Sequence, residues 1–211
     1  SVRVEGLEVS KKVEKHIRTR VGIVFQDPDD QIFSLTVRED VCFGPQNMGL
    51  SPDEIEERVE SALAAVRIRD LAEKAAYLLS YGQKKRVAIA GVLAMSPEII
   101  ILDEPFAFLD PRGKSSLLEI LDELARQGKT IVIATHDVDL AAEWADQIVV
   151  MQDGRVLAEG GKQILIDPEV IDQADLAYPT VAKIFRELPG QNGDLPLTVN
   201  EAISRIKQLL S

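Results

Sequence analysis

The 211 residues are 45% apolar and 28% charged, and 35 acidic against 24 basic side chains leave a formal net charge of -11. A chain of this size and composition can bury one sizeable core and is neither a low-complexity tract nor a disordered one. Its acidity disfavours generic binding to nucleic acid or anionic lipid, and its single cysteine, Cys42, excludes an internal disulfide and suits a reducing cytosol.

Val2, Val4 and Leu7 around Gly6 read as a short hairpin. Val21 to Phe25 is a compact β-branched run, hence a strand, followed by the polar turn Gln26-Asp27-Pro28-Asp29-Asp30-Gln31. Thr36 with Glu39, and Ser51-Pro52-Asp53-Glu54, have capping-box spacing, and Ile55, Val59, Ala62, Leu63 and Val66 share one helical face. Asp70 and Glu73 are expected to open another helix, so that Thr36 to about Met95 forms a helical block. Cys42, between Val41 and Phe43, reads as a small buried hydrophobe. From Ile99 the pattern becomes strand, helix, strand, helix, strand. Ile99 to Leu102, Ile131 to Ala134 and Ile148 to Met151 are the strands, and Asp153-Gly154 turns the last into Val156 to Ala158. That alternation predicts an α/β core. The tail from Gly161 contains a helix through Val181, Ile184 and Phe185, a join at Pro189, Gly190, Asn192 and Gly193, and a helix capped at Thr198-Val199-Asn200-Glu201. No apolar run reaches the length of a membrane-spanning helix.

Five places carry chemistry. Asp103 and Glu104 end a buried strand, where one carboxylate can hold Mg²⁺ and the next can orient water; a solvated strand end is the plain alternative. Leu79-Ser80-Tyr81-Gly82-Gln83 opens a helix whose free N–H groups suit an anion, against the common case of an ordinary serine cap. The basic run Lys84 to Arg86 reads as a solvated face. Gln26 after a strand can ligate Mg²⁺ or position water, Asp110 follows the second strand's loop, and His136 at a strand end can donate to a phosphate. His16 sits among Lys11, Lys12, Lys15 and Arg18 and is expected to be exposed.

In isolation the plain readings win. The joint order Gln26, Leu79 to Gln83, Ile99 to Glu104, Leu109-Asp110 and His136 resembles the ATPase subunits of ABC transporters. Gln26 matches the Q-loop, residues 79–83 the signature motif, and Ile99 to Asp103 the Walker B strand with Glu104 as the catalytic carboxylate. Ala107 to Asp110 matches the D-loop and His136 the switch histidine. Val24 to Phe33, Gln83 to Met95 and Leu195 to Val199 are similar to the cobalt/nickel and energy-coupling-factor importer branch.

The resemblance implies a P-loop NTPase-like (RecA-like) parallel-sheet core with an inserted helical subdomain. Residues 1–35 would be a partial N-terminal core with the Q-loop and 36–96 the helical subdomain. Residues 97–160 would complete the α/β core, and 161–211 would be a C-terminal helical extension. It implies ATP and Mg²⁺ as cofactors, with Asp103 and Gln26 on the metal, Glu104, His136 and Gln26 in catalysis, and Ser80, Gly82, Gln83 and Asp110 serving a nucleotide. It also implies a homodimeric or paralogous ATPase partner, an integral membrane subunit, no nucleic acid, and a peripheral place on the cytoplasmic face of the membrane.

Three features depart from the family pattern. Tyr81 stands where glycine is usual, Phe108 stands where a small residue is more frequent, and G-x-x-x-x-G-K-[ST] occurs nowhere in the 211 residues. Gly113-Lys114-Ser115 reads as helix. The expectation is a chain beginning after the phosphate-loop segment, consistent with Ser1 in place of Met, and catalytically incompetent alone. The alternatives are a nucleotide-independent dimerisation or regulatory module, and an ATPase of DNA repair or chromosome structure, which the lack of a heptad tract disfavours.

Overall fold

A computed structural model describes residues 2–188 and 195–210. The join expected at Pro189, Gly190, Asn192 and Gly193 lies outside them. The chain separates into two compact units, residues 1–134 and 135–211.

The first unit opens with a small antiparallel hairpin, β1 (Arg3–Val4) and β2 (Leu7–Glu8). Helix α1 (Glu14–Arg20) buries no residue, and no apolar periodicity marks it in the sequence. Three parallel strands follow: β3 (Val21–Val24), β4 (Ile99–Asp103) and β5 (Thr130–Ala134), in the order β3-β4-β5. Their registers pair Val24 with Leu102 and Asp103 with Ala134, so the carboxyl ends of all three strands share one edge. Val24, Ile100 and Leu102 are fully buried.

Between β3 and β4 runs a helical block of α2 (Val37–Asn47), α3 (Pro52–Ala65) and α4 (Tyr81–Leu93). The capping boxes expected at Thr36/Glu39 and Ser51/Glu54 are both formed. Arg38 of α2 reaches Glu56 and Glu60 of α3 and Glu73 beyond it at 2.9, 2.8 and 2.6 Å, tying the two helices at their rim. The helix expected from Asp70 and Glu73 is only a 3₁₀ turn at Arg69–Leu71. The segment instead runs on to Lys74 and Ala75, where Thr36 and Ala75 form an isolated antiparallel bridge. Cys42 is half-buried, and burial pushes its thiol pKa up.

Helix α5 (Pro111–Arg126) links β4 to β5 and turns Leu117, Ile120, Leu121 and Leu124 inward. Gly128 ends it at φ +87°, a left-handed conformation suited to glycine. Gly113-Lys114-Ser115 lies inside this helix, as read from sequence.

The second unit holds α6 (Val138–Trp144), the hairpin β6 (Ile148–Gln152) and β7 (Arg155–Gly160), and the helices α7 (Pro168–Gln173), α8 (Thr180–Arg186) and α9 (Val199–Leu209). Its core gathers Ala142, Ile148, Val150, Leu165, Ala174, Ala182 and Leu197. Here the structure departs from the expected run of parallel strands. β6 is not a strand of the parallel sheet, whose third strand is β3, while its antiparallel pairing with β7 across Asp153-Gly154 is the hairpin expected from sequence. A tight Asp153-Gly154 turn favours the adjacent strand as partner.

Helix α4 lies close against β3. A Cβ built on Gly22 would stand 2.2 Å from Val92 Cγ1, whereas one on Gly91 of α4 would meet nothing within 4 Å. Gly22→Ala is therefore expected to cost about 1–3 kcal/mol through overpacking. Gly91→Ala is expected to be neutral or to stabilise by up to about 1 kcal/mol through helix propensity. Urea denaturation of both variants checks the pair.

Candidate functional site

The carboxyl edge of the parallel sheet carries the site. In such sheets the strand ends point into the crevice where ligands bind. Asp103 is the last residue of β4 and is exposed, while its strand neighbour Leu102 is fully buried. Glu104 follows at φ +40°, held by its N–H on the Ala134 carbonyl at 2.9 Å. A non-glycine residue there is strained, which the chain sustains through that bond to β5.

Gln26 lies just beyond β3 and is also exposed. A cleft of about 520 Å³ is lined by Phe25, Gln26, Asp27, Asp30, Tyr81, Asp103 and Phe108. Gln26 and Asp103 thus share one cleft, and the lining adds Asp27, Asp30, Phe25 and the two departures Tyr81 and Phe108, none of which the sequence had placed beside Asp103.

The start of α4 forms the adjoining wall. Ser80 is its cap: the hydroxyl accepts from the Gln83 N–H, and the Gln83 side chain accepts from the Ser80 N–H at 3.0 Å. The plain reading of a capping serine therefore holds as local structure. Gly82 faces the D-loop, where a built Cβ would stand 3.4 Å from Leu109 Cδ2. Asp110 caps α5, its carboxylate accepting from the Gly113 N–H at 2.7 Å. His136 lies in the second unit, exposed, between β5 and α6.

The basic run Lys84–Arg86 is not a solvated face. Lys84 pairs with Asp29 at 2.6 Å, Arg86 donates to the Ser116 hydroxyl at 3.0 Å, and Lys85 is fully buried. The Lys85 ammonium donates to the Gln26 main-chain carbonyl and more weakly to that of Phe25 at 3.4 Å. Burial pulls its pKa below the usual value, opposed by Asp27, Asp103 and Glu104. The sequence did hold a signal for it: Lys85 shares its helical face with Ala88, Ile89 and Val92, all buried. The Tyr81 hydroxyl donates to the same Gln26 carbonyl at 3.0 Å. Burial pushes that phenol's pKa up, with Asp27 and Asp29 adding to the shift.

Asp103 and Gln26 offer hard oxygen donors on one cleft, a fit for Mg²⁺, which needs only one or two protein ligands when phosphates and water complete its shell. A triphosphate is a different matter. The cleft lining has three carboxylates and no lysine or arginine, so these residues do not by themselves fit a polyanion.

Known proteins match this arrangement. Residues 1–107 match the family described as ABC transporter. The chain is 47% identical over 209 residues to the energy-coupling factor transporter ATP-binding protein EcfA of Carboxydothermus hydrogenoformans, a match spanning 99% of this chain and 77% of that protein. It is 48% identical over 210 residues to the EcfA of Methanosphaera stadtmanae, spanning 96% and 76%. Among solved structures, cbiO1 from Clostridium perfringens, part of the ABC transporter complex cbiONQ, aligns with TM-score 0.70 at 46% identity, over 84% of this chain and 71% of that one. The dimeric ATP-binding cassette MJ0796 bound to ADP and Pi aligns with TM-score 0.64 at 29% identity, over 75% and 72%. A parallel sheet with oxygen donors at its carboxyl edge, a capped helix beside them and relatives of this identity lead to one conclusion: the chain belongs to the ABC transporter ATPases, in their energy-coupling factor branch.

Proposed function

We propose that this chain is half of a composite ATPase that energises an importer, with Asp103 and Gln26 on Mg²⁺ and Glu104 orienting the attacking water. His136 contacts the γ-phosphate in this reading. The observation that carries it is the shared cleft of Gln26 and Asp103 at the carboxyl edge of the sheet. Bound Mg²⁺ would offset the acidic lining and polarise the terminal phosphate. The start of α4 offers the Gly82 N–H, the Ser80 hydroxyl and the Gln83 side-chain amide to the nucleotide held by the other subunit, and Asp110 holds the D-loop in place by capping α5. These 211 residues hold no G-x-x-x-x-G-K-[ST], so the half-site reading gives them the metal and signature parts of the site and not a phosphate cradle of that type. The partner ATPase is a second copy or a paralogue, in keeping with the dimer of the neighbour MJ0796.

The membrane partner has a surface to meet. Phe33, Leu35, Phe43, Tyr77 and Leu78 are all exposed on the helical block. The Phe33 and Phe43 rings pack edge-on at 4.7 Å, and the Ala76 N–H on the Leu35 carbonyl joins the two loops that bear the others. Contiguous exposed apolar side chains of this kind mark interaction sites. No helix among the described residues is long and apolar enough to cross a membrane, so an integral subunit would provide the span. The cargo in this reading is a cobalt or nickel ion or a vitamin-like micronutrient, selected by that partner; the likeness of Val24 to Phe33 and Gln83 to Met95 to the cobalt/nickel and energy-coupling-factor importer branch supports this class.

A nucleotide-independent module with the same fold predicts different behaviour from a half-site. These 211 residues alone are expected to show negligible ATP turnover and no melting shift with Mg-ATP. Added to an intact energy-coupling ATPase, they are expected to raise its turnover above that of the intact subunit alone. Gly82→Asp, which sets a carboxylate where a phosphate must approach, is expected to remove at least tenfold of that gain with little change in melting. Normal turnover by the chain alone, or no gain on mixing, contradicts the half-site reading.

The exposed patch gives a separate expectation. Leu35→Asp with Tyr77→Asp should weaken co-purification with the membrane subunit by tenfold or more, the scale of losing a buried anchor, and leave the mixed-subunit turnover in place.

A further inference from the structure

The two bulky departures from the family pattern touch each other. Tyr81 of the signature and Phe108 of the D-loop pack edge to face, with ring centroids 5.6 Å apart and planes at 79°. The Tyr81 hydroxyl reaches the Gln26 carbonyl at 3.0 Å, and the Lys85 ammonium binds the same oxygen while lying 5.7 Å from the centre of the Tyr81 ring. One main-chain carbonyl of the Q-loop is therefore held by two side chains one helical turn apart on α4. One of those side chains is braced in turn by the D-loop. Phe108 is itself left-handed, at φ +60°, and 81% exposed, so its ring is held on one side by Tyr81. The far end of the same loop is fixed independently. Asp29 pairs with Lys84, and the Gln31 side chain donates to the Ala88 carbonyl at 3.1 Å while accepting from the Phe25 N–H at 3.0 Å.

We propose that Tyr81, Lys85 and Phe108 form a clasp that makes the Q-loop, the signature helix and the D-loop move as one body, with Tyr81 as a positioning residue for the composite ATPase. This rests on the half-site reading above and extends it. Tyr81 lines the cleft with Gln26 and Asp103 and also stands in the first turn of the helix offered to the other subunit's nucleotide. A glycine at 81 could make neither the hydroxyl contact nor the ring contact. In this chain the cleft and the signature helix are thus joined by a side chain as well as by the fold. The ring contact and the hydroxyl contact act through one residue, so losing either loosens the other.

The test has two arms. Amide hydrogen exchange on the chain itself compares the unmodified protein with Tyr81→Phe, which removes only the hydroxyl, and with Lys85→Met. Exchange in the peptide over residues 22–31 is expected to rise about two- to tenfold in each, the range set by one net hydrogen bond, with the peptide over 99–103 unchanged. The second arm is stimulated turnover with an intact energy-coupling ATPase. Tyr81→Phe is expected to lower kcat about two- to tenfold with KM for ATP and the half-saturating chain concentration unchanged, a split that simple loss of folded protein would not give. Tyr81→Gly with Phe108→Gly together is expected to retain more turnover than the product of the single variants, since each removes the other's partner. Exchange over 22–31 that is unchanged in both Tyr81→Phe and Lys85→Met overturns the clasp. If the unmodified chain gives no stimulation, the half-site reading falls, and the exchange arm alone decides the clasp.

Discussion

The first unit is organised by a cation that has no water. Lys85 is completely buried, and its ammonium is satisfied by main-chain carbonyls at the end of β3. An unpaired buried charge is costly, so the Q-loop backbone must stay where it meets that ammonium. Its close approach to Gln26 fixes the distance between α4 and β3, which the missing Cβ of Gly22 against Val92 also requires. Asp27, Asp103 and Glu104 lie near enough to favour the charged form. The acidic edge of the sheet and the buried lysine of the helix therefore stabilise each other electrostatically.

How much of this could be read beforehand depends on the length of the signal. The strands β4 and β5 announced themselves by unbroken β-branched runs, and the capping boxes at Thr36 and Ser51 by spacing alone. Candidate positions Gln26 and Asp103 were placed by motif order, and they do meet on one cleft. What escaped was of two kinds. Helix α1 is charged on all sides and buries nothing, so no periodicity marks it. Sheet membership beyond nearest neighbours was also illegible: the Asp153-Gly154 turn announced the hairpin of β6 with β7, but nothing in the Ile148–Gln152 run states that it pairs with β7 and not with the parallel sheet of β3, β4 and β5. Lys85 was misread because a run of three basic residues suggested solvent, although helical geometry sends its members in different directions.

Charge also divides the labour of the site. The cleft is acidic and aromatic, a lining that suits a cation better than a bare phosphate, while the start of α4 presents N–H groups of the kind that suit an anion. The two sets of groups answer to opposite charges, which is the division the proposed composite site requires.

The serine at the head of α4 shows how narrow the choice of residue is. Its oxygen already accepts from the Gln83 N–H, a duty that Asp, Asn or Thr could also perform. A hydroxyl, however, keeps a hydrogen to give away after accepting with a lone pair. An aspartate would cap the helix equally well and would repel any anion brought to that helix start. An asparagine would have to fit a planar amide into the same turn. Serine is the smallest group that can face inward as an acceptor and outward as a donor from a single atom, so the helix is closed on itself and still open to a ligand.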